Sequence, residues 1–341
     1  MSRRAALVSA GLAAGAIAAG ALGRTVYRRR HADARRWSDV DPPEDLGRVP
    51  SFDGTHLAVR AAGDPDAPVV LLAHGFSLDA TVWSALWPEL VHDLRVVTFD
   101  LRSHGRSDAA AHGDLGLRAV GRDLGAVLDA VAPDAPAVVV GHSMGAIAIL
   151  ALAEQRPELF GPRIAGAVFL GAAASDLLRG AMGSIAELLR PRLGSVGEAA
   201  RRVDRLRRAV LRGPADVSAA VARLTQFGPD APPNVVDHVV ALAERARPEV
   251  WTDGLAALMS VDLRHAVPRV RVPALVVVGE HDRVTPPASA VALAGELPEG
   301  RLVVLEGAGH IPMLERPEAL ADLIRPFARR ALGLDAAEGA A

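Results

Sequence analysis

"VVVGHSMGAIAIL", residues 138–150, sets a serine between two glycines, with a β-branched run before it and an alanine-rich apolar run after it. The first run suits a strand and the second a helix. Gly141-His142-Ser143-Met144-Gly145 therefore occupies a tight strand-to-helix turn. Side chains at either glycine would collide with the neighbouring strand or helix, and the turn projects the serine hydroxyl from the strand end, beside the positive end of the following helix. A serine in an ordinary turn is the competing reading, and the choice rests on what lies elsewhere in the chain.

Around this turn, strand and helix patterns alternate. "HLAVRAAG" (56–63) and "APVVLLAHG" (67–75) read as strands around the Gly-Asp-Pro turn at 63–65, and "LRVVTFD" (94–100) reads as a third. "DATVWSALWPELVHD" (79–93) spaces Val82, Ala85, Leu86 and Leu90 as a helix would, and 116–132 does so with Val120, Leu124, Val127, Leu128 and Val131. After the strand "IAGAVFLGA" the alternation stops for about ninety residues, 172–261, where short helical patterns break at Pro191, Gly194, Gly213, Pro214 and "FGPDAPP". It resumes with a strand in "VPALVVVGEHD" (272–282), a helix near 287–297, a strand in "RLVVLEGAGH" (301–310) and a last helix from Pro317 to about Leu332. Such alternation implies an α/β fold with a mostly parallel central sheet flanked by helices, and the interruption reads as an inserted helical cap. The divisions are 1–37 (apolar segment and basic flank), 38–171 (first part of the core), 172–261 (cap), 262–335 (second part) and 336–341 (flexible tail). Residues 31–50 read as a linker, with ordered chain starting near Val49.

A serine hydroxyl is a poor nucleophile until a base takes its proton, and the base needs a group that holds its tautomer. Asp282 falls just past one buried strand and His310 in a glycine-rich loop past the next, so both belong at the carboxyl edge of the sheet that carries Ser143. Asp282 could instead cap the helix that follows, and Asp176 is the competing acid; Asp282 is preferred. His281 is expected to point away. A tetrahedral intermediate also needs donors for its oxyanion: the N–H of Met144 and, from the loop after the strand 67–75, the N–H of Phe76. His74, Gly75 and His142 then shape the loop, the elbow and the pocket, and Trp83 and Trp87 read equally as core.

Taken together, "HGF" at 74–76, "DLRSHGRSD" at 100–108, "GHSMG" at 141–145, "GEHDRVTP" at 279–286 and "GAGHIPMLERP" at 307–317 resemble the α/β-hydrolase superfamily, over about residues 50–333. The resemblance implies the α/β-hydrolase fold with its cap after the sixth strand. It also implies that Asp100, Arg102, Gly105 and Ser107 are scaffolding, and that Ser143, Asp282 and His310 are the catalytic residues. A serine at the elbow departs from the epoxide hydrolases and haloalkane dehalogenases of that superfamily, which carry aspartate there. The expected activity is that of a carboxylesterase- or lipase-like enzyme acting on an ester of a small-to-medium apolar acid, with no cofactor and no metal. Perhydrolases and cofactor-free haloperoxidases, thioesterases, amidases and carbon–carbon hydrolases share the same constellation, and a non-catalytic receptor on the same fold is the rival from another class.

Composition narrows the partners. A net charge of −2 and 4% aromatic residues argue against nucleic acid. The absence of cysteine excludes disulfides and thiolate chemistry but leaves the compartment open. All 38 basic residues are arginine, as expected from a GC-rich bacterial coding sequence. Residues 5–23 are uncharged and Ala/Gly-rich, about the length that crosses one bilayer core. They read as a membrane anchor, a cleaved signal or a soluble helix. Arg24 and Arg28–Arg30 behind them favour an anchored domain on the cytoplasmic side. The arginine-rich stretch 196–212 reads as a solvated cap helix or as a surface for anionic lipid.

Overall fold

The computed structural model describes residues 43–175 and 215–335. Eight strands form one sheet: β1 (Glu44–Pro50), β2 (His56–Ala62), β3 (Val69–Ala73), β4 (Arg95–Phe99), β5 (Ala137–His142), β6 (Ile164–Leu170), β7 (Ala274–Gly279) and β8 (Gly300–Leu305). Their spatial order is β1-β2-β4-β3-β5-β6-β7-β8; the first two strands pair antiparallel and every pairing from β4 through β8 is parallel. Six longer helices accompany it: α1 (Leu117–Val131), α2 (Met144–Gln155), α3 (Ala215–Gln226), α4 (Pro233–Arg245), α5 (Pro287–Glu296) and α6 (Pro317–Ala331).

The central strands are apolar throughout because both faces are covered. Along β3, Val69, Leu71 and Ala73 join the core under α1, α2 and α5. Val70 and Leu72 point the other way, into the core shared with α3, α4 and α6.

Two expectations fail in the first third of the chain. Where residues 31–50 read as a linker, Glu44–Pro50 forms β1, paired with β2 from Glu44↔Ala61 to Pro50↔His56 with a register shift between Asp45 and Gly47. It is an edge strand, largely exposed along its length, so it carries no apolar alternation to betray it. The single helix expected over 79–93 is instead a 3₁₀ turn, Ala80–Trp83, and one turn of α-helix, Trp87–Leu90. Pro88 supplies no amide hydrogen to a helix running through it. Val82, Trp83, Leu86 and Leu90 are nevertheless fully buried, which is the part of the pattern that burial dictates.

The inserted segment leaves and re-enters at one place: Ser175 bridges Asp262, and the Leu263 N–H donates to the Ala174 carbonyl at 2.8 Å. Its described part is helical, and the residues 196–212 and Asp176 lie outside the described residues. So does the segment 5–23; among the described residues no helix is long and apolar enough to cross a membrane.

The segment 100–107 is scaffolding in the structure. The Asp100 carboxylate accepts the N–H groups of Ala80 (2.7 Å) and Arg106 (2.8 Å), and the Ser107 hydroxyl accepts the Ala58 N–H and donates to the Asp100 carbonyl. Gly105 has φ +47°, and a Cβ there would come within 2.4 Å of the Asp100 carboxylate. Arg102 is wholly buried and donates through Nε and Nη2 to Asp123, and through Nη1 to Asp53.

Candidate active site

Ser143 sits between β5 and α2 with φ 51° and ψ −110°. That conformation costs a side-chain-bearing residue about 1–3 kcal/mol. The neighbours enforce it: a Cβ on Gly141 would fall 2.4 Å from the Gly145 carbonyl oxygen, and one on Gly145 would fall 2.1 Å from that of Ala73 on β3. The Ser143 N–H donates to the Leu170 carbonyl at the end of β6, and the Gly171 N–H to Val277 on β7, so three adjacent strand ends are tied together here.

Asp282 and His310 meet at this edge. Asp282 is buried after β7; its Oδ1 accepts the N–H groups of Val284 and Thr285, and its Oδ2 accepts the Thr285 hydroxyl. The same Oδ2 lies 2.8 Å from His310 Nδ1. With a carboxylate there, Nδ1 carries the proton and Nε2 keeps its lone pair, the tautomer a general base requires. Asp282 does not cap α5, whose cap position is Pro286. A Cβ on Gly171, the residue after β6, would sit 3.0 Å from His310 Nδ1 and 3.1 Å from Asp282 Oδ2, and its φ of +52° also favours glycine there. His281 lies beside Glu280, away from these groups.

His142 approaches the same loop from the elbow. Its Nε2 is 2.8 Å from the His310 carbonyl oxygen and must donate to it, which leaves Nδ1 buried and without a hydrogen-bond partner. Burial, and then the charge of His310, hold its pKa well below the ordinary 6.5, so the ring is neutral. Gly75 passes directly over it: a Cβ there would be 2.6 Å from His142 Nδ1 and 3.2 Å from Ser143 Cβ.

Two histidines fix the loop that carries Phe76. His74 Nδ1 donates to the Gly75 carbonyl at 2.8 Å, and its Nε2 accepts the Leu101 N–H at 3.0 Å. Next to it, His104 Nδ1 donates to the Arg102 carbonyl and its Nε2 accepts the Ser77 N–H at 3.2 Å. In a trans peptide the C=O and N–H point in opposite directions. Holding the Gly75 carbonyl on His74 therefore aims the Phe76 N–H the other way. Met144 opens α2, so its N–H has no carbonyl one turn earlier in the helix to satisfy it. The Phe76 ring packs edge-on against Trp251 of the inserted segment, centroids 5.0 Å apart. Trp83 is core, and Trp87 is partly buried against it.

The paired donor and acceptor roles require both rings neutral. Burial pushes His74 down to about 4, and burial with the neighbouring His74 charge pushes His104 down to about 3. The unfolded chain takes up these protons near pH 6.5 while the folded one does not, so stability falls as pH drops below 6.5. Between pH 7 and 5 each ring should remove about 2 kcal/mol. Urea unfolding at the two pH values should show that loss in the wild type and a drop smaller by about 2 kcal/mol in H104Q, whose amide supplies one donor and one acceptor without titrating. An unchanged drop in H104Q would refute the neutral-ring reading.

One residue at this edge escaped the sequence reading. Glu315 is 5% exposed and its carboxylate accepts the N–H groups of Gly309 and Ile311, on either side of His310, and of Gly228 from the inserted segment. Burial raises its pKa, and the three amides oppose that. The available signal was a glutamate set among Ile311, Pro312, Met313 and Leu314. The same interlock continues in the backbone, where the His310 N–H donates to the Gln226 carbonyl at 2.6 Å. A Cβ on Gly228 would come 2.2 Å from the Gly307 carbonyl oxygen. Among the described residues, no three His, Asp or Glu side chains gather in a way that suits a metal ion.

Comparison with known proteins follows the same lines. Residues 69–323 match the model of the alpha/beta hydrolase family. A pimeloyl-[acyl-carrier protein] methyl ester esterase of Aromatoleum aromaticum is 32% identical over 268 residues, covering 77% of this chain and 98% of the relative. A thermophilic esterase from Thermogutta terrifontis superposes with TM-score 0.68 at 25% identity, covering 85% of this chain and 99% of the other. An enol-lactonase from Burkholderia xenovorans does so with TM-score 0.66 at 26% identity, covering 82% and 99%. The mostly parallel sheet described above is thus accompanied by matches over most of this sequence, and the chain belongs to the alpha/beta hydrolase family as an ester hydrolase.

Proposed function

We propose that the protein hydrolyses a carboxylic ester of a small-to-medium apolar acid through an acyl-enzyme on Ser143. The observation that carries this reading is the Asp282–His310 pair beside a serine held at φ 51°. His310 Nε2 takes the hydroxyl proton as Ser143 Oγ attacks the carbonyl carbon, and Asp282 stabilises the imidazolium. The oxyanion is held by the N–H groups of Phe76 and Met144, a contribution of about 10²–10³ in rate for one donor. Collapse expels the alkoxide, which leaves with the proton from His310. Water, activated by the same ring, then releases the acid. No metal or cofactor enters any of these steps.

Substrate choice belongs to the segment 172–261 acting as a cap. Its Trp251 packs on the Phe76 ring, and Gly254 lies beside the same ring. Relatives that act on a methyl ester and on an enol-lactone support oxygen-ester chemistry over thioester or amide cleavage.

The test is a profile of the full chain on p-nitrophenyl esters of increasing acyl length, with matched thioesters and amides, alongside labelling by a fluorophosphonate. The expected result is labelling at Ser143 and a kcat/KM that peaks at one acyl length on oxygen esters. Labelling without turnover of any ester would replace the enzyme reading with that of a receptor.

A further inference from the structure

Away from Ser143, Asp282 and His310, a partly open cavity of about 250 Å³ lies between β2, the loop 100–107 and the C-terminal end of α4. Arg60, Arg106, Arg245 and Arg247 line it, together with Asp79 and Asp100. Four arginines against two aspartates leave the lining with an excess of positive charge.

The hydrogen bonds show which of these charges are already spoken for. The Asp100 carboxylate accepts the Ala80 and Arg106 amides and Asp79 Oδ1 accepts the Thr81 N–H and hydroxyl, so both keep their charge and offset part of the cationic lining. The Arg106 side chain pairs with Asp45 at 2.7 Å, and Arg247 donates to the Ser107 carbonyl at 3.1 Å. Among the described residues, the side chains of Arg60 and Arg245 make neither a hydrogen bond nor an ion pair. The free carbonyls at the end of α4 favour a cation at Arg245, but they do not fill its five donors. Two arginines whose side-chain donors are unfilled by protein acceptors therefore line the same cavity from two different parts of the fold, and Asp45 and Asp100 act on Arg60 through charge alone.

We propose that this cavity is a binding site for a phosphoryl group, separate from the catalytic edge. A phosphate monoester carries −1.5 to −2 charges near pH 7 and three acceptor oxygens, which matches two planar guanidinium forks better than a single carboxylate does. The volume is several times the roughly 30 Å³ share of one water, so an attached organic group has room beside the phosphate. Because Arg60 belongs to the sheet and Arg245 to the inserted segment, the bound anion ties the two together.

Calorimetric titration of the full chain in a non-phosphate buffer tests this, with inorganic phosphate and with glycerol 3-phosphate, against chloride at equal ionic strength so that general screening cancels. Binding of at least one of the two phosphates is expected, weakened about tenfold for each of R60Q and R245Q. The charge-matched control R301Q, on the opposite edge strand β8, should bind as the wild type does. Tighter binding of the ester than of inorganic phosphate would locate the organic group in the remaining volume, and equal binding would assign the site to the phosphoryl group alone. No heat beyond that of chloride, or equal affinity in wild type and R60Q/R245Q, would overturn the proposal. Because the readout is binding, it stays separate from the fate of the ester-hydrolysis reading.

Discussion

The S143A variant should lose about 10⁴–10⁶ in kcat toward any ester the wild type cleaves, while binding of that ester changes little. On the proposed mechanism the loss follows from removing the atom that would form the covalent intermediate, leaving the contribution of the two proposed oxyanion donors and of substrate positioning. Alanine is as strained as serine at φ 51°, and the two flanking glycines still fix the turn, so thermal stability should stay close to that of the wild type. Steady-state kinetics beside a melting curve check both statements. A loss below about tenfold in a folded protein would remove Ser143 from the mechanism.

D282N should cost about 10⁴ in kcat for a different reason. The asparagine oxygen can keep accepting from the Val284 and Thr285 amides, as Asp282 Oδ1 does. Its nitrogen then faces His310 Nδ1 with a donor where the carboxylate had offered an acceptor. The imidazole must shift its proton to Nε2, the position from which it has to receive one from serine. Nitrogen chemical shifts of His310 would report the changed tautomer, and kinetics the lost rate. A D282N enzyme with near-normal kcat and an Nδ1–H imidazole would show that Asp282 does not set the tautomer.

How much of this could be read from the residues depends on what each one touches. β3, β5 and β7 announce themselves because sheets covered on both faces need unbroken apolar strands, and the proposed catalytic residues Ser143 and Asp282 follow such strands. β1 is silent because its contribution is backbone pairing at an exposed edge, which leaves side chains free to be polar. The stretch 79–93 carried a helical spacing that burial satisfied without a continuous helix. His104 and Glu315 stayed hidden for a shared reason. Each acts on backbone amides far from it in sequence, His104 on Ser77 and Glu315 on Gly228, and no spacing rule anticipates a carboxylate or imidazole serving as a peptide clamp.

The interlock around Gln226–Gly228 bears on how relatives with this architecture could exchange specificity. On the proposed mechanism, the stretch that follows α3 is at once part of the insertion assigned to substrate choice and the seat of the proposed general base, since it holds the His310 amide and receives Glu315. A chimera that grafts another protein's insertion here should draw its splice points so that 226–228 stays native. Crossing that boundary would trade specificity and catalytic competence together, which makes the insertion only partly modular.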